Sequence, residues 1–380
     1  MSYVALARKY RPKNFSELVG QSVLTTTLTN AIFENRIHHA FLLTGIRGVG
    51  KTTTARIIAK NLNCIGEDGT GNATANPCEV CSNCTAIKAG SHPDVIEFDA
   101  ASNTGIEDVK IIISNTHYAP ILGRKKVFII DEIHMLSTKA FNALLKTLEE
   151  PPENIVFVFA TTEVKKVPIT ILSRCQKFFL KAIKPEEIEN KLKEISKQEG
   201  FEVEKEALEI MSIKANGSMR DGISLLDQAL LNSSSAILTF QAVKEMMKIP
   251  SMEEAKRLFE EISSGKITET LELIQELTDV GLEEAEIISE LCEIISAEIK
   301  REALGEKKYG MPFLLRFYQI LIKGIEDLKF CENKKIGLEI LIIKLCYSAS
   351  LPTPSEVIER LQNKELNFVL NAFSEAKIIE

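Results

Sequence analysis

Two patterns of apolar and polar positions divide this 380-residue chain. In the first half, short and nearly uninterrupted apolar runs recur: Phe41-Leu42-Leu43, Val127-Phe128-Ile129-Ile130 and Ile155-Val156-Phe157-Val158-Phe159-Ala160. A run of this kind, bounded by charges or turn residues, predicts a strand buried on both faces. Residues 94–99 add a further strand candidate. Stretches of helical period separate the runs, at 22–37 (Val23, Leu24, Leu28, Ala31, Ile32), 53–62, 106–115 and 138–150, the last stopped by Pro151-Pro152. Strands alternating with helices predict an α/β fold, a parallel sheet covered by helices on both faces. Residues 64–90 interrupt the alternation, and 65–77 are rich in Gly, Asn and Thr, which marks an irregular excursion.

Beyond about residue 180 the strand signals vanish and only helical period remains. Helices are predicted at 185–200, 204–215, 220–231 and 240–247, with Asn232-Ser233-Ser234-Ser235 as a polar break. From Met252 onward the chain is helical again, punctuated by Gly265, Gly281, Gly310-Met311-Pro312 and Pro352-Thr353-Pro354. The expected division is into three domains, 1–180, 181–247 and 248–380.

Composition narrows the class. Apolar content of 45% and charged content of 26% are those of a globular protein. No apolar run approaches the roughly 20 residues of a membrane span, and residues 1–10 lack the apolar core of a signal peptide. The expectation is a cytoplasmic protein with no membrane partner. A net charge of −7 argues against attraction of nucleic acid to the whole surface, while leaving room for a local site. Eight cysteines are too few for a disulfide framework at this length. Cys175, Cys292, Cys331 and Cys346 are scattered among apolar residues and read as buried thiols.

The chemistry concentrates at strand ends. After Phe41-Leu42-Leu43-Thr44 comes Gly45-Ile46-Arg47-Gly48-Val49-Gly50-Lys51-Thr52, the spacing G-x-x-x-x-G-K-T between a strand and a helix. Gly45, Gly48 and Gly50 allow the backbone to turn its N–H groups onto phosphate oxygens, and the helix behind adds its positive end. Lys51 would reach the β- and γ-phosphates, and Thr52 would ligate Mg²⁺. The strand at 127–130 ends in Asp131-Glu132-Ile133-His134. A carboxylate there faces the crevice beside the phosphate loop: Asp131 would hold Mg²⁺ and Glu132 would polarise the attacking water. The acids are expected on the tip of a strand neighbouring the one that carries the loop.

Other positions carry open alternatives. Thr161 and Thr162, at the end of the next strand, could sense a γ-phosphate or simply favour the β conformation. Arg174, in Ser173-Arg174-Cys175, could be a surface charge or an arginine finger reaching a neighbouring subunit. Arg220, in Gly217-Ser218-Met219-Arg220-Asp221, begins a helix and could reach the phosphates in cis. The segment 8–13 with Tyr10 and Val19 is either a solvated arm or a wall over a purine. Ala100 to Gly105, ahead of a helix, could offer N–H groups to a DNA phosphate. Cys64-x13-Cys78-x2-Cys81-x2-Cys84 supplies four thiolates at a spacing suited to structural Zn²⁺, with an iron–sulfur cluster or a redox pair as alternatives. His92 is nearby but unneeded once four cysteines are present.

Taken together, Leu6-Ala7-Arg8-Lys9-Tyr10-Arg11-Pro12, the loop Gly45 to Thr52, the four cysteines, residues 131–136, 141–152, 171–175 and 217–221 closely resemble the gamma/tau family of bacterial DNA polymerase III clamp-loader subunits, which are AAA+ ATPases. The likeness is dense from 1 to about 230. It implies a RecA-like AAA+ domain with a zinc-binding insertion, a small helical lid, and an all-helical collar that oligomerises. It implies ATP held by Gly45, Gly48, Val49, Gly50, Lys51, Thr52 and Thr53, with Ala7, Tyr10, Arg11 and Val19 around the adenine. Thr162 takes the sensor-1 role, Arg220 that of sensor 2, and Arg174 that of the finger in trans. The implied partners are delta, delta-prime, further copies of the chain, the sliding clamp and primed DNA. ATP binding would open and load the clamp, and hydrolysis would release it. The spacer from Cys64 to Cys78 is longer than is usual in the family, and the chain ends at Glu380 without the long tail of tau forms, as a gamma-like form or a truncated one would. Rival expectations are a hexameric AAA+ DNA translocase of branch-migration type and a non-hydrolysing AAA+ scaffold subunit.

Overall fold

The uninterrupted apolar runs form the centre of a five-stranded, wholly parallel sheet. The computed structural model describes residues 3–233, 235–247, 252–279, 282–306, 308–349 and 351. Ser234, Gly281 and Pro352-Thr353-Pro354, read above as breaks, lie outside the described residues, as do all residues from 352 to 380. The described chain divides into two compact units, Met1–Met246 and Met247–Glu380.

In the first unit the elements run α1 (Leu6–Lys9), α2 (Ser22–Phe33), β1 (Ala40–Thr44), α3 (Lys51–Asn63), α4 (Ser82–Ala89), β2 (Val95–Asp99), α5 (Ile106–Thr116), β3 (Lys126–Asp131), α6 (Thr138–Glu149), β4 (Ile155–Thr161), α7 (Ile169–Leu172) and β5 (Gln176–Phe179). The sheet order is β2-β3-β4-β1-β5. Every residue of β1 and β4 is buried, which is why they read as unbroken apolar runs rather than alternating ones. On one face Phe128, Phe157 and Phe159 stack with centroids 5.4 and 5.7 Å apart, and α6 lays Phe141, Leu144 and Leu148 against them. Helix α6 starts where the Ser137 hydroxyl accepts the Ala140 N–H and stops just before Pro151.

After the sheet come α8 (Pro185–Gln198), β6 (Glu202–Val203), α9 (Lys205–Lys214), α10 (Met219–Asn232), β7 (Ile237–Leu238) and α11 (Phe240–Met246). Isoleucines and leucines of α8, α9 and α10 form a buried interior that includes Ile188, Leu192, Leu208 and Leu226. The second unit holds α12 (Met252–Ser263), α13 (Ile267–Asp279), α14 (Glu284–Ala303), α15 (Met311–Lys329) and α16 (Lys334–Ala349) around Phe259, Leu291, Phe317 and Leu338. Gly324 lets α15 and α16 approach: a Cβ there would lie 2.4 Å from a Leu341 methyl.

Five expectations need correction. The predicted helix at 22–37 ends at Phe33, because Asn35 takes φ +52° and Phe33 is exposed. Strand signals do not vanish at 180: β6 and β7 pair in a second, two-residue-deep sheet, too short to leave a periodic trace. β5 also went unread, since an edge strand with one buried position, Phe178, has no apolar run. Cys331 is exposed, beyond the end of α15, while Cys346 is buried. Finally, β3 is not adjacent to β1; β4 lies between them.

Candidate functional site

Parallel strands put all their carboxyl ends on one edge, and the insertion of β4 between β1 and β3 sets the width of the site there. A hollow of about 850 Å³ opens at that edge. Gly45, Gly48 and Gly50 have φ of +151°, +77° and +106°, so the loop after β1 curls as its spacing predicts. Gly48 has a second reason to lack a side chain: a Cβ would fall 1.9 Å from the Ser218 hydroxyl, and its carbonyl accepts the Arg220 N–H. The start of α10 therefore sits directly on the loop.

Lys51, at 6% exposure, folds back so that Nζ donates to the Gly45 and Ile46 carbonyls, both at 3.0 Å. Burial lowers its pKa; Glu132 and Asp131 pull it back up, and Arg220 adds to the lowering. The Thr52 hydroxyl donates to Asp131 Oδ2 at 2.6 Å, joining the tips of β1's loop and β3. Asp131 Oδ1 accepts the Glu132 N–H. Glu132 itself takes the left-handed backbone, φ +45°, a conformation that costs a non-glycine residue about 1 kcal/mol or more. That turn aims its carboxylate across the tip of β4, where Oε2 accepts both the N–H and the hydroxyl of Thr162 at 3.1 Å.

The two threonines are thus separated by geometry. Thr161 is fully buried and its hydroxyl lies 2.9 Å from His134 Nδ1; Thr162 is exposed to the hollow. His134, which sequence reading passed over, bridges the acids, with Nδ1 3.3 Å from Glu132 and Nε2 3.4 Å from Glu163.

Ala7, Tyr10, Arg11, Val19, Val49, Thr53 and Arg220 line the same hollow. Gly45 lies just outside it, packed against the Leu180 carbonyl. Segment 3–13 is therefore no free arm. The Tyr10 hydroxyl donates to Glu199, Tyr3 donates to Asp227 at 2.5 Å, and Lys9 pairs with Glu199 at 2.6 Å. Burial and the Glu199 hydrogen bond push the Tyr10 phenol up to about 12. Pro12, Leu18, Ile183, Met219 and Ile223 complete an apolar wall. Ile183, Met219 and Ile223 look like ordinary core residues in the sequence, and only the folding of the segment ahead of α8 and of α10 beside the loop brings them here.

Arg174 stands apart from the hollow. Its guanidinium donates to the Thr170 carbonyl and pairs with Glu149 at 2.6 Å, on the surface. In the segment 100–105 the N–H groups of Ala100, Ala101 and Asn103 are taken by the Asp131 carbonyl, the Asp99 side chain and the Asp99 carbonyl.

The four cysteines meet at one point. Their sulfurs lie within 4.8 Å of one another, with Cys64 and Cys78 3.6 Å apart. Four Zn–S bonds of about 2.3 Å would place sulfurs roughly 3.8 Å apart, so the set has the size and softness of a closed zinc site. N–H groups of Cys78, Cys81 and Cys84 donate to neighbouring sulfurs, as suits thiolates. Burial raises the Cys81 thiol, but the N–H groups of Cys84 and Ile65 outweigh it and bring it to about 7. Burial drives Cys84 up strongly. His92 is buried and takes the Asp94 N–H, away from the cluster. Arg124, unnoticed in the sequence, clamps the excursion: Nε donates to the Leu62 carbonyl and Nη1 to that of Gly71, and Nη2 reaches Cys64 O.

Comparison with known proteins then decides the family. Family models described as "DNA polymerase III, delta subunit", "DNA polymerase III clamp loader subunit, ATPase lid domain" and "DNA polymerase III subunits gamma and tau domain III" match residues 20–184, 187–235 and 238–361. DNA polymerase III subunit gamma of Buchnera aphidicola (subspecies Schizaphis graminum) is 40% identical, over 90% of this chain and 98% of its own. The chain belongs to the DNA polymerase III gamma/tau family. The tau subunit of Escherichia coli is likewise 40% identical over 95% of this chain, which spans 58% of that longer protein. Tau of Bacillus subtilis is 37% identical over 96% of this chain and 68% of its own. Among solved structures, the Thermotoga maritima RuvB Holliday junction branch migration motor aligns over 67% of this chain and 79% of its own, at 21% identity and a TM-score of 0.48.

Proposed function

We propose that this chain is an ATP-hydrolysing AAA+ motor subunit of the replicative clamp loader, in which ATP binding drives loading of a sliding clamp onto primed DNA and hydrolysis releases it. The observation that carries this reading is the meeting of Lys51, Thr52, Asp131 and Glu132 in one hollow, in a member of the gamma/tau family. In this reading Lys51 and the loop amides hold the phosphates, and Thr52 with Asp131 would hold Mg²⁺, which supplies charge neutralisation on the leaving group. Glu132, steadied by Thr162, takes the proton of the attacking water. Arg220 reaches the phosphates from α10. Ala7, Tyr10, Arg11, Val19 and the isoleucines 183 and 223 enclose the base.

The reading divides the chain into a nucleotide-binding domain at 1–180, a lid at 181–247 and a collar at 248–380, whose last residues lie outside those described. The cysteine module would hold a structural zinc. Partners in this reading are delta, delta-prime, further copies of the chain, the clamp and primed DNA. No helix among the described residues is long and apolar enough to cross a membrane, and the cytoplasm is the proposed compartment.

The test is ATPase activity of the reconstituted assembly with and without primed DNA and clamp. Stimulation by both is expected; indifference to the clamp would remove the clamp-loading assignment. The translocase alternative predicts a hexamer by native mass rather than a pentamer, and intact Lys51, Thr52, Asp131 and Glu132 speak against a non-hydrolysing scaffold.

A further inference from the structure

Beside the nucleotide hollow, and sharing Arg11, Pro12 and Thr53 with it, lies a second hollow of about 780 Å³. Its walls come from the N-terminal segment, from α3 and from α4 of the cysteine module. Its rim is cationic. Arg8, Arg11, Lys13 and Lys88 face it, and among the described residues none of them has a carboxylate partner. Three more cations are already neutralised: Lys9 by Glu199 at 2.6 Å, Arg56 by Glu97 at 2.5 Å and Lys60 by Glu79 at 2.5 Å. Glu79 is the single carboxylate in the lining. So much unbalanced positive charge is local, since the chain as a whole carries −7.

The charge is also held under strain. Arg11 is half-buried, and burial, then Arg56, Arg220 and Arg8, push its guanidinium pKa down, while Glu97, the partner of Arg56, pulls it part of the way back. Crowding like charges out of water costs free energy that an incoming anion returns.

We propose that this second hollow binds the phosphodiester backbone of nucleic acid, without reading its bases. Guanidinium forks and lysines in mixture match phosphate oxygens. The lining has no aromatic ring, so bases have nothing to stack on. An acidic protein segment would want several apolar anchor points, and the lining offers one exposed aliphatic chain, Val4, since Ile57 and Ile87 are 0% and 1% exposed. The choice of nucleic acid rests on the proposed function above; the site shares Arg11, Pro12 and Thr53 with the nucleotide hollow but none of Lys51, Thr52, Asp131 and Glu132.

The test is fluorescence anisotropy of a labelled single-stranded oligonucleotide with the full chain across a potassium chloride series, without nucleotide. The variant R8Q/K13Q/K88Q changes three exposed cations, none of which lines the nucleotide hollow. It should bind at least about tenfold more weakly at low salt, and its slope of log affinity against log salt should fall by about two. K193Q/K197Q/K205Q, three exposed lysines outside the site with the same change in net charge, should keep the wild-type slope. Affinity for a fluorescent ATP analogue should stay within about twofold in both, which reports an intact fold and is independent of any hydrolysis. Lys88→Glu alone, at the end of α4, gives a second reading should the triple variant misfold, with a slope lower by about one. An unchanged slope in R8Q/K13Q/K88Q, equal losses in the two triple variants, or displacement of the oligonucleotide by polyglutamate at matched charge would each overturn the assignment.

Discussion

At the scale of single residues, the site works by dividing labour between side chains that look redundant in sequence. Asp131 and Glu132 are adjacent acids, yet one is tied to Thr52 and the other to Thr162. The left-handed turn at Glu132 sends the two carboxylates to different strand tips. Glu132→Gln keeps the size and most of the hydrogen bonds but cannot take a proton. It should bind ATP normally and lose hydrolysis by about 10²-fold or more, in the range of a removed general base; normal turnover would show that another group activates the water. Lys51→Ala should abolish nucleotide binding, measured with a fluorescent ATP analogue, because in the proposed reading this buried ammonium is the cation that meets the phosphates. Thr161 and Thr162 show where residue-level reading stops. Equal in sequence, they differ only in which side of β4's end they occupy, and that depends on the register of a strand pair.

Among the elements, the loop at 120–125 and the cysteine module depend on side chains that replace backbone partners. Asp94 is fully buried at the head of β2 and accepts the N–H groups of Ile121, Leu122 and Gly123 at 2.7–3.0 Å. Burial raises its pKa, but those three N–H groups outweigh it and hold the carboxyl below its usual value. A depressed carboxylate stabilises the fold above the unfolded value of about 4 and ceases to as pH falls through the folded value. Asp94→Ala strands three donors and should cost about 3 kcal/mol or more in urea unfolding. Asp94→Asn should flatten the acid side of the stability profile; a profile like the wild type's would mean that Asp94 is not the titrating group. Asn63 plays a similar part, giving Nδ2 to the Lys125 carbonyl and taking the Lys125 N–H, while its own carbonyl holds Asn83 at the start of α4. Loss of metal should therefore be felt in the sheet. Cys81→Ser, or a strong chelator, should release zinc measurable by a colorimetric dye and lower the melting temperature of the first unit. Protein purified without chelator and found to hold no zinc would remove the assignment.

On the scale of the whole molecule, the hollow at the strand tips is closed by parts far apart in sequence. The N-terminal segment is anchored to Glu199 and Asp227 and sits over the loop at Gly45 to Thr52. A movement of α8 and α10 would therefore carry the wall of the hollow with it. Arg174, by contrast, faces outward, held by Glu149 in an exposed pair worth about 1 kcal/mol at most. Arg174→Ala should leave the melting temperature and nucleotide affinity of the isolated chain unchanged. In the reconstituted assembly its ATPase rate should fall by about 10³-fold, the scale of a lost arginine finger. Equal activity of the two assemblies would return Arg174 to the status of a surface charge.

The chain's own order of residues was enough for the alternation of strands and helices, the phosphate loop, the paired acids and the four sulfurs. Each of these is local: a buried run, a spacing of glycines or a C-x-x-C turn has its physical cause within a dozen residues. Folding alone decided the rest. The interposition of β4 set which threonine meets Glu132, and β5, β6 and β7 had no apolar run to betray them because a short or edge strand buries too little. Ile183, Ile223, Arg124 and the cations of the second hollow acquire their roles from neighbours dozens to more than a hundred residues away. A side chain's solvation and its charged company are properties of three-dimensional proximity, which one-dimensional periodicity does not encode.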